Sequence, residues 1–362
     1  MFSSLLQDYE CGQILGKGSS AQVFEVLHKA TQQKYACKVV HKNNSINDAQ
    51  TMRVETDILM RMNHKNIAKL HELYETKLSK WYIMELANGG SLHTALAEEE
   101  NYTEDLIATH FKQVLEGMKY LHEIGIVHRD LKQDNILCTV TKTASGERKY
   151  EAKIADFGLS ALTFGNHSAK SMKKYKRIKD MWGTKEYFAP EVYKRAYGPQ
   201  VDVWSLGCVL YELLTGEVPF PTREIAESKV ERLILNGGKK SRRCFEMLPR
   251  WQALSPEARD LIHHMLKINP SKRYNIQECL NHPFILRTEF VASGQSHDSV
   301  SASMSQHAGT PVMPVSSELR KPRILSEARA MALKRAEGRL ARTKLLVEQA
   351  EQAMKTAAIA AA

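Results

Sequence analysis

No apolar run in these 362 residues approaches the ~20 that a membrane-crossing helix needs. Cysteine is sparse and unpatterned. The six, at positions 11, 37, 138, 208, 244 and 279, form no CxxC pair and have no histidine partners at ligand spacing. That argues against a zinc site or a disulfide framework, and for a reducing compartment. The opening Met1-Phe2-Ser3-Ser4 lacks a signal-peptide pattern, and Phe2 stands where N-myristoylation requires glycine. The expectation is a soluble intracellular protein, cytoplasmic, with the nucleus left open. Aromatic residues are missing from one region: 318–362 has no Phe, Tyr or Trp. Its positive charge therefore lacks the stacking partners that single-stranded nucleic acid favours, so nucleic-acid binding is not expected.

What is present is globular. Hydrophobic residues make up 43% and charged residues 25%, enough for sizeable cores in one large or two ordinary domains. The formal charge of +10 is uneven, since 318–362 holds ten Lys/Arg against five Glu, half the excess. Residues 288–317 are Ser-rich and poor in apolar side chains, which predicts a disordered linker. The tail beyond it, 318–362, reads as a basic, Ala-rich helix. Leu333, Leu340 and Leu346 lie roughly along one side, among Lys334, Arg335, Arg339, Arg342 and Lys344. Such a helix suits capture by a groove-binding partner such as calmodulin. It also suits a weak dimeric coiled coil through Leu333, Ala336, Leu340, Val347 and Ala350, or a solvated helix with no partner.

Periodicity sorts the rest of the chain. Residues 9–40 alternate around a Gly-rich turn, predicting a hairpin and a third strand. Residues 50–62 place Val54, Ile58, Leu59 and Met62 on one helical face, and 103–124 read as a long amphipathic helix. Residues 81–84 read as a strand, and Val201–Leu214 as a helix buried on every side. Thr139–Glu151 reads as an extended hairpin tip. The charge run Lys170, Lys173, Lys174, Lys176, Arg177 and Lys179 reads as a solvated basic loop.

Two motifs organise this pattern. His128-Arg129-Asp130-Leu131-Lys132-Gln133-Asp134-Asn135 matches H-R-D-L-x-x-x-N, and Asp156-Phe157-Gly158 follows twenty-one residues after Asn135. Phosphoryl transfer asks for a carboxylate to orient and deprotonate a hydroxyl, metal on the phosphates, and lysine to neutralise charge. Asp130 fits the first role, and Asn135 and Asp156 offer the oxygen ligands Mg2+ prefers. Lys132 can reach the moving group. Upstream, Gly16-Lys17-Gly18-Ser19-Ser20-Ala21-Gln22-Val23 matches a Gly-rich phosphate loop except that Ala21 replaces the third glycine, and Lys38 follows Val23 by fifteen residues. Downstream come Gly183-Thr184, Ala189-Pro190-Glu191, Asp202 with Trp204, and Arg273.

With these motifs in order over about 9–287, the chain resembles a eukaryotic protein kinase of the Ser/Thr type, most like the calcium/calmodulin-dependent group. The resemblance implies an α+β bilobal fold in a kinase domain over 1–287: an N-lobe of about 9–84, a hinge of about 85–90 and a C-lobe of about 91–287. It implies ATP and Mg2+ as cofactors, and Ser/Thr hydroxyls of proteins as acceptors in a signalling role. Asp130 and Lys132 would be catalytic, and Asn135 and Asp156 would hold metal. Leu15, Gly16, Gly18, Val23, Ala36, Lys38, Glu55, Glu85, Ala87 and Leu137 would surround the nucleotide, with Met84 as gatekeeper and backbone at Glu85 and Ala87 bonding adenine. Glu55 is the candidate partner of Lys38, against a solvated helix glutamate or the strand residue Glu72. Leu59, Leu70, His128 and Phe157 would stack as a spine.

Further carry-overs are Thr184 bonded to Asp130 and Lys132, Glu191 paired with Arg273, and Asp202 bonded to the catalytic-loop backbone. Lys185 replaces a common proline, and Ser91 a common acidic residue; Asp134 and Glu212 remain as contacts for basic substrate residues. Asp180 stands where many kinases carry an activating phosphate. It could pair bidentately with Arg129, or simply offset nearby lysines; otherwise Ser160, Thr163, Ser168 or Ser171 is the switch. A pseudokinase scaffold is the alternative function, disfavoured because Lys38, Asp130, Asn135 and Asp156 are all retained.

Overall fold

Alternation in the first forty residues builds a sheet with two working faces. In the computed structural model, β1 (Tyr9–Lys17), β2 (Ala21–His28) and β3 (Lys34–His41) pair antiparallel, and the five-stranded order is β1-β2-β3-β5-β4, with β4 (Leu70–Glu75) and β5 (Ser79–Glu85). The structure describes all residues except 1–4, 6, 18–20, 43–45, 100–101, 164–177, 221–248, 293–324, 336, 339–340 and 342–362. Successive strand residues point to opposite faces. Tyr35, Cys37 and Val39 accordingly join Tyr9, Val26 and Ile83 in a small outer cluster, while Val40 and Tyr82 join the main core. Lys38, on the same side as Val40, is thereby aimed inward.

Helix α1 (Ile46–Arg61) packs Met52, Glu55, Ile58 and Leu59 inward, the face its periodicity assigns. After β5 the chain enters α2 (Leu92–Ala97), capped by the Ser91 hydroxyl accepting from the Thr94 N–H, and α3 (Glu104–Glu123), capped by Thr103. Glu104 and Asp105 in the first turn of α3 suit its dipole. Its buried stripe, Ile107, Phe111, Val114, Leu115, Met118 and Leu121, lies beneath the short β6 (Ile126–Val127) that leads into the catalytic loop.

The hairpin tip expected at 139–151 continues two strands, β7 (Ile136–Lys142) and β8 (Arg148–Ile154), in unbroken register. Side-chain amides occupy both outer edges. Asn88 donates to the Val140 carbonyl (3.0 Å) and accepts its N–H (2.7 Å), and Gln113 does the same for Tyr150 O (3.2 Å) and Ala152 N (2.9 Å). Each amide takes the place of a neighbouring strand residue and blunts an edge that could otherwise recruit another chain.

After β9 (Ala161–Leu162) come α4 (Pro190–Tyr193), α5 (Gln200–Thr215), α6 (Pro249–Gln252), α7 (Pro256–Met265), α8 (Ile276–Leu280) and α9 (Pro283–Ala292). Helix α5 is buried on all sides, as its sequence predicts, and ends at Gly216 in a left-handed conformation (φ 79°) that favours glycine. One continuous core runs from α1 and Tyr82 through Phe157 to α5 and α9. Helix α9 extends five residues past the expected boundary at 287, where Arg287 pairs with Glu104 (2.9 Å) and Asp105 (3.2 Å) of α3. The rest of the expected linker, 293–317, lies outside the described residues.

Part of the tail is described. Residues 325–335 are helical, with Ala328 and Ala332 buried and Leu325 and Leu333 against the main core. Arg329 donates to the Ala97 carbonyl (2.7 Å), Glu327 pairs with Arg250 (3.4 Å), and Arg335 pairs with Glu212. Leu333, expected on a partner-facing stripe, is thus spent within the chain. Leu340 and Leu346 lie outside the described residues. No helix among those described is long and apolar enough to cross a membrane.

Candidate active site

The site begins with a buried carboxylate. Asp202, in the first turn of α5 and fully buried, accepts the backbone N–H of His128 (Oδ2, 2.9 Å) and of Arg129 (Oδ1, 2.9 Å), and its Oδ2 also meets His122 Nε2 at 2.9 Å. Burial alone would raise its carboxyl, but His122, His128 and the Arg129 N–H hold it below the usual carboxylate range. Arg129 sits at φ 70°, a conformation that costs a non-glycine residue strain. The bonds from Asp202 hold it there and set the direction of Asp130. The sequence identified Asp202 but not His122, eighty residues away, for which no local signal exists.

Asp130 is held by four groups. Its Oδ1 accepts from the Thr184 N–H (2.9 Å) and hydroxyl (2.8 Å), and its Oδ2 from Lys132 Nζ (2.8 Å) and Asn135 Nδ2 (3.1 Å). Lys132 also donates to the Thr184 hydroxyl at 2.9 Å. Gly183 allows this approach. At φ 120° it tolerates no ordinary side chain, and an added Cβ would lie 2.5 Å from the Arg129 carbonyl.

Across the cleft, Lys38 Nζ lies 2.7 Å from Glu55 Oε1 and 2.8 Å from Asp156 Oδ1. Burial would lower the Lys38 ammonium, yet the carboxylates of Glu55 and Asp156 outweigh it and raise the group above its ordinary value. Asp156, half exposed toward the cleft, shows the converse: enclosure favours the neutral acid, and Lys38 wins and lowers it. Its backbone sits at φ 64°, the left-handed region that few non-glycine residues adopt. Glu72, the rival partner, instead accepts from Tyr9 (3.1 Å) and Tyr74 (2.8 Å). Beneath this cluster the rings of His128 and Phe157 meet at 5.1 Å, with Leu59 buried and Leu70 half-buried in the same core.

The remaining nucleotide positions converge by strand register. Gly16 stands opposite Val23, Val23 opposite Lys38, and Ala36 opposite Met84. Leu137 is bridged to Ser91, and the Gly89 N–H donates to Cys138 O at 2.8 Å, so β7 lies beside the hinge. The Glu85 N–H is taken by Lys69 O (2.8 Å). Leu15 lies exposed at the end of β1, and Gly18 is outside the described residues.

For a cation, Asn135 spends its amide nitrogen on the carbonyl (2.7 Å) and carboxylate of Asp130, which leaves its oxygen as the ligand atom. With the Asp156 carboxylate this makes a small oxygen donor set of the kind Mg2+ uses together with phosphates and water. Among the described residues, no group of three or more His, Cys, Asp or Glu could hold a metal unaided.

Three expectations change in detail. Arg129 meets Asp180 through one nitrogen only, at 3.6 Å, because its Nε donates to Leu159 O and its Nη2 to Ser160 O. The pair is therefore not bidentate. Glu212, expected to be open to substrate, is buried and accepts from Tyr187 (2.6 Å) and Arg335. Ser160 and Thr163 are buried, whereas Ser168, Ser171 and the basic residues 170–177 lie outside the described residues. Glu191 and Arg273 form the expected buried pair, at 2.6 and 2.9 Å.

Comparison with known proteins agrees with this geometry. Human calcium/calmodulin-dependent protein kinase type IV is 37% identical over 280 residues, covering 76% of this chain and 54% of that protein. Calcium-dependent protein kinase 24 of Arabidopsis thaliana is 34% identical over 301 residues (82% and 48%), and calcium-dependent protein kinase 2 of Oryza sativa subsp. japonica 36% over 280 (76% and 50%). The chain spans about half the length of these curated relatives. The protein kinase domain family matches residues 9–285, the stretch that carries both the Lys38 and the Asp130 clusters, and the chain belongs to that family.

Proposed function

We propose that this chain is an active Ser/Thr protein kinase, moving the ATP γ-phosphate to Ser or Thr hydroxyls of proteins with Mg2+. The observation that carries the reading is the pair of preassembled clusters, Lys38–Glu55–Asp156 and Asp130–Lys132–Asn135–Thr184. Asp130 would orient the acceptor hydroxyl and take its proton as the hydroxyl oxygen bonds to phosphorus and ADP departs. Lys132, beside it, would meet charge on the transferring group, and Lys38 the α- and β-phosphates. Asn135 and Asp156 would hold Mg2+, which neutralises phosphate charge when bound. Because all these side chains are already paired to one another, little reorganisation is left for the reaction. Asp130→Asn should lower phosphate incorporation by about 10²–10⁴-fold with the fold retained. Asp156→Ala should do the same. Either variant incorporating radiolabel at the wild-type rate would refute the assignment.

The tail belongs to the same reading. Arg335 sits on Glu212, one of two carboxylates that the kinase resemblance offers to basic substrate side chains. The helix 325–335 would therefore compete with substrate, and a calmodulin-like partner binding 320–350 would relieve it. One relative is named for calmodulin and two for calcium dependence, which supports this choice over self-association. Titration of the chain with calmodulin, with and without calcium, tests it. No calcium-dependent binding would overturn it. A cytoplasmic location is proposed on cysteine chemistry: the five described cysteines are free thiols, and burial pushes Cys37, Cys138 and Cys279 up to about 12.

A further inference from the structure

Lys153 is a lysine in a place that suits lysine poorly. It lies in β8 between the buried Ala152 and Ile154, and is itself only 5% exposed. A buried ammonium is costly unless paired, and Lys153 has two carboxylates: Glu85 Oε1 at 2.8 Å and Glu151 Oε2 at 3.1 Å. Glu151 is its neighbour along the same face of the strand. Glu85 is in the hinge, where nothing in the local sequence foretells the contact.

The pair closes a loop of bonds. The Ile154 N–H donates to Asn66 O (2.9 Å), and Ile154 O accepts from the Ala68 N–H (2.9 Å). Next to Ala68, Lys69 accepts the Glu85 N–H (2.8 Å) and donates its own N–H to Glu85 Oε2 (3.4 Å). One carboxylate oxygen of Glu85 is thus held by Lys69 and the other by Lys153. With its N–H also bound, Glu85 is fixed at both backbone and side chain, in the segment whose backbone would face adenine. The phosphate end of the cleft has its own supports, since Asp156 is held by Lys38 and Ala155 by Asn135 O (2.9 Å).

We infer that Lys153 is a positioning residue for the nucleotide base: its contact with Glu85 sets the hinge backbone that binds adenine. The inference rests on the kinase reading for the identity of the ligand. Without Lys153 the Glu85 carboxylate loses one of its two holds and swings toward solvent, and adenine meets a hinge backbone that must reorder on binding. Base affinity falls while the transfer step, supported elsewhere, keeps its rate. Lys153→Met preserves length and burial, and Lys153→Arg preserves the charge.

The test uses the full chain. Adenosine binding is titrated by calorimetry, and KM for ATP and kcat are measured separately, with Tm as the control for folding. The expected result for Lys153→Met is a dissociation constant for adenosine and a KM for ATP each raised roughly tenfold, the size of one lost charge-assisted restraint. Its kcat should stay within about twofold. Lys153→Arg should restore most of the affinity. If Lys153→Met binds adenosine as wild type does and only its Tm falls, Lys153 is a stability element and the inference is wrong. A wild-type chain that binds no adenosine also overturns it. If the wild type binds adenosine but transfers no phosphate, the kinase reading fails, and the adenosine arm still decides the role of Lys153.

Discussion

Replacing Asp202 by Asn tests the structural logic of the catalytic loop most directly. The carboxylate serves three donors with two oxygens, whereas an amide has one oxygen and a donor group of its own. If the amide oxygen keeps the Arg129 N–H, the NH2 faces the His128 N–H, donor against donor. One buried N–H is then orphaned at a cost of about 2–3 kcal/mol. With the His128 anchor lost, the left-handed turn at Arg129 is held by one bond instead of two. Its partial relaxation returns about 1 kcal/mol of strain and turns Asp130 away from Thr184. The net loss of about 1–2 kcal/mol should lower Tm by roughly 2–4 °C, at about 2 °C per kcal/mol for a domain of this size. The misdirected base should cost about 10²-fold in kcat.

The pH dependence has a definite sign. Asp202 is depressed in the folded state, so its contribution is complete above the ordinary unfolded value of about 3.9 and is lost as pH falls through the lower folded value. The stability gap between wild type and Asp202→Asn should therefore be flat from about pH 5 to 8 and close only below about pH 4. Thermal unfolding across that range, with initial rates of phosphorylation, checks both parts. Wild-type kcat in the variant, or a gap that closes near neutrality, would refute the argument.

Asp180→Ala should lower activity several-fold without phosphatase sensitivity in the wild type, because Arg129 already has a carboxylate 3.6 Å away. Wild-type enzyme silenced by phosphatase would instead point to a phosphorylated residue. Arg335→Ala should raise activity toward a peptide with basic residues before the acceptor, mainly through a lower KM, since it vacates Glu212. Unchanged kinetics, together with equal activity for residues 1–290, would remove the tail from regulation.

Much of the molecule was legible in one dimension. The strand alternation around Lys38, the 3.6-residue stripes of α1 and α3, and the largely apolar α5 follow from local patterning, because the apolar face of each element, or nearly the whole of α5, must leave water. The loop from His128 to Asn135 and the Asp156 turn were legible because the chemistry restricts which residue types can serve. Glu55 was found by helical spacing, but only packing separates it from Glu72, whose carboxylate is taken by two tyrosines. Pairings across long separations were not written in any local pattern. His122 on Asp202, Lys153 on Glu85 and Arg335 on Glu212 each join polar side chains brought together by elements distant in sequence. A sequence specifies which side chains can pair, whereas burial decides which must, since a charge taken out of water has to find the partner that the fold places beside it.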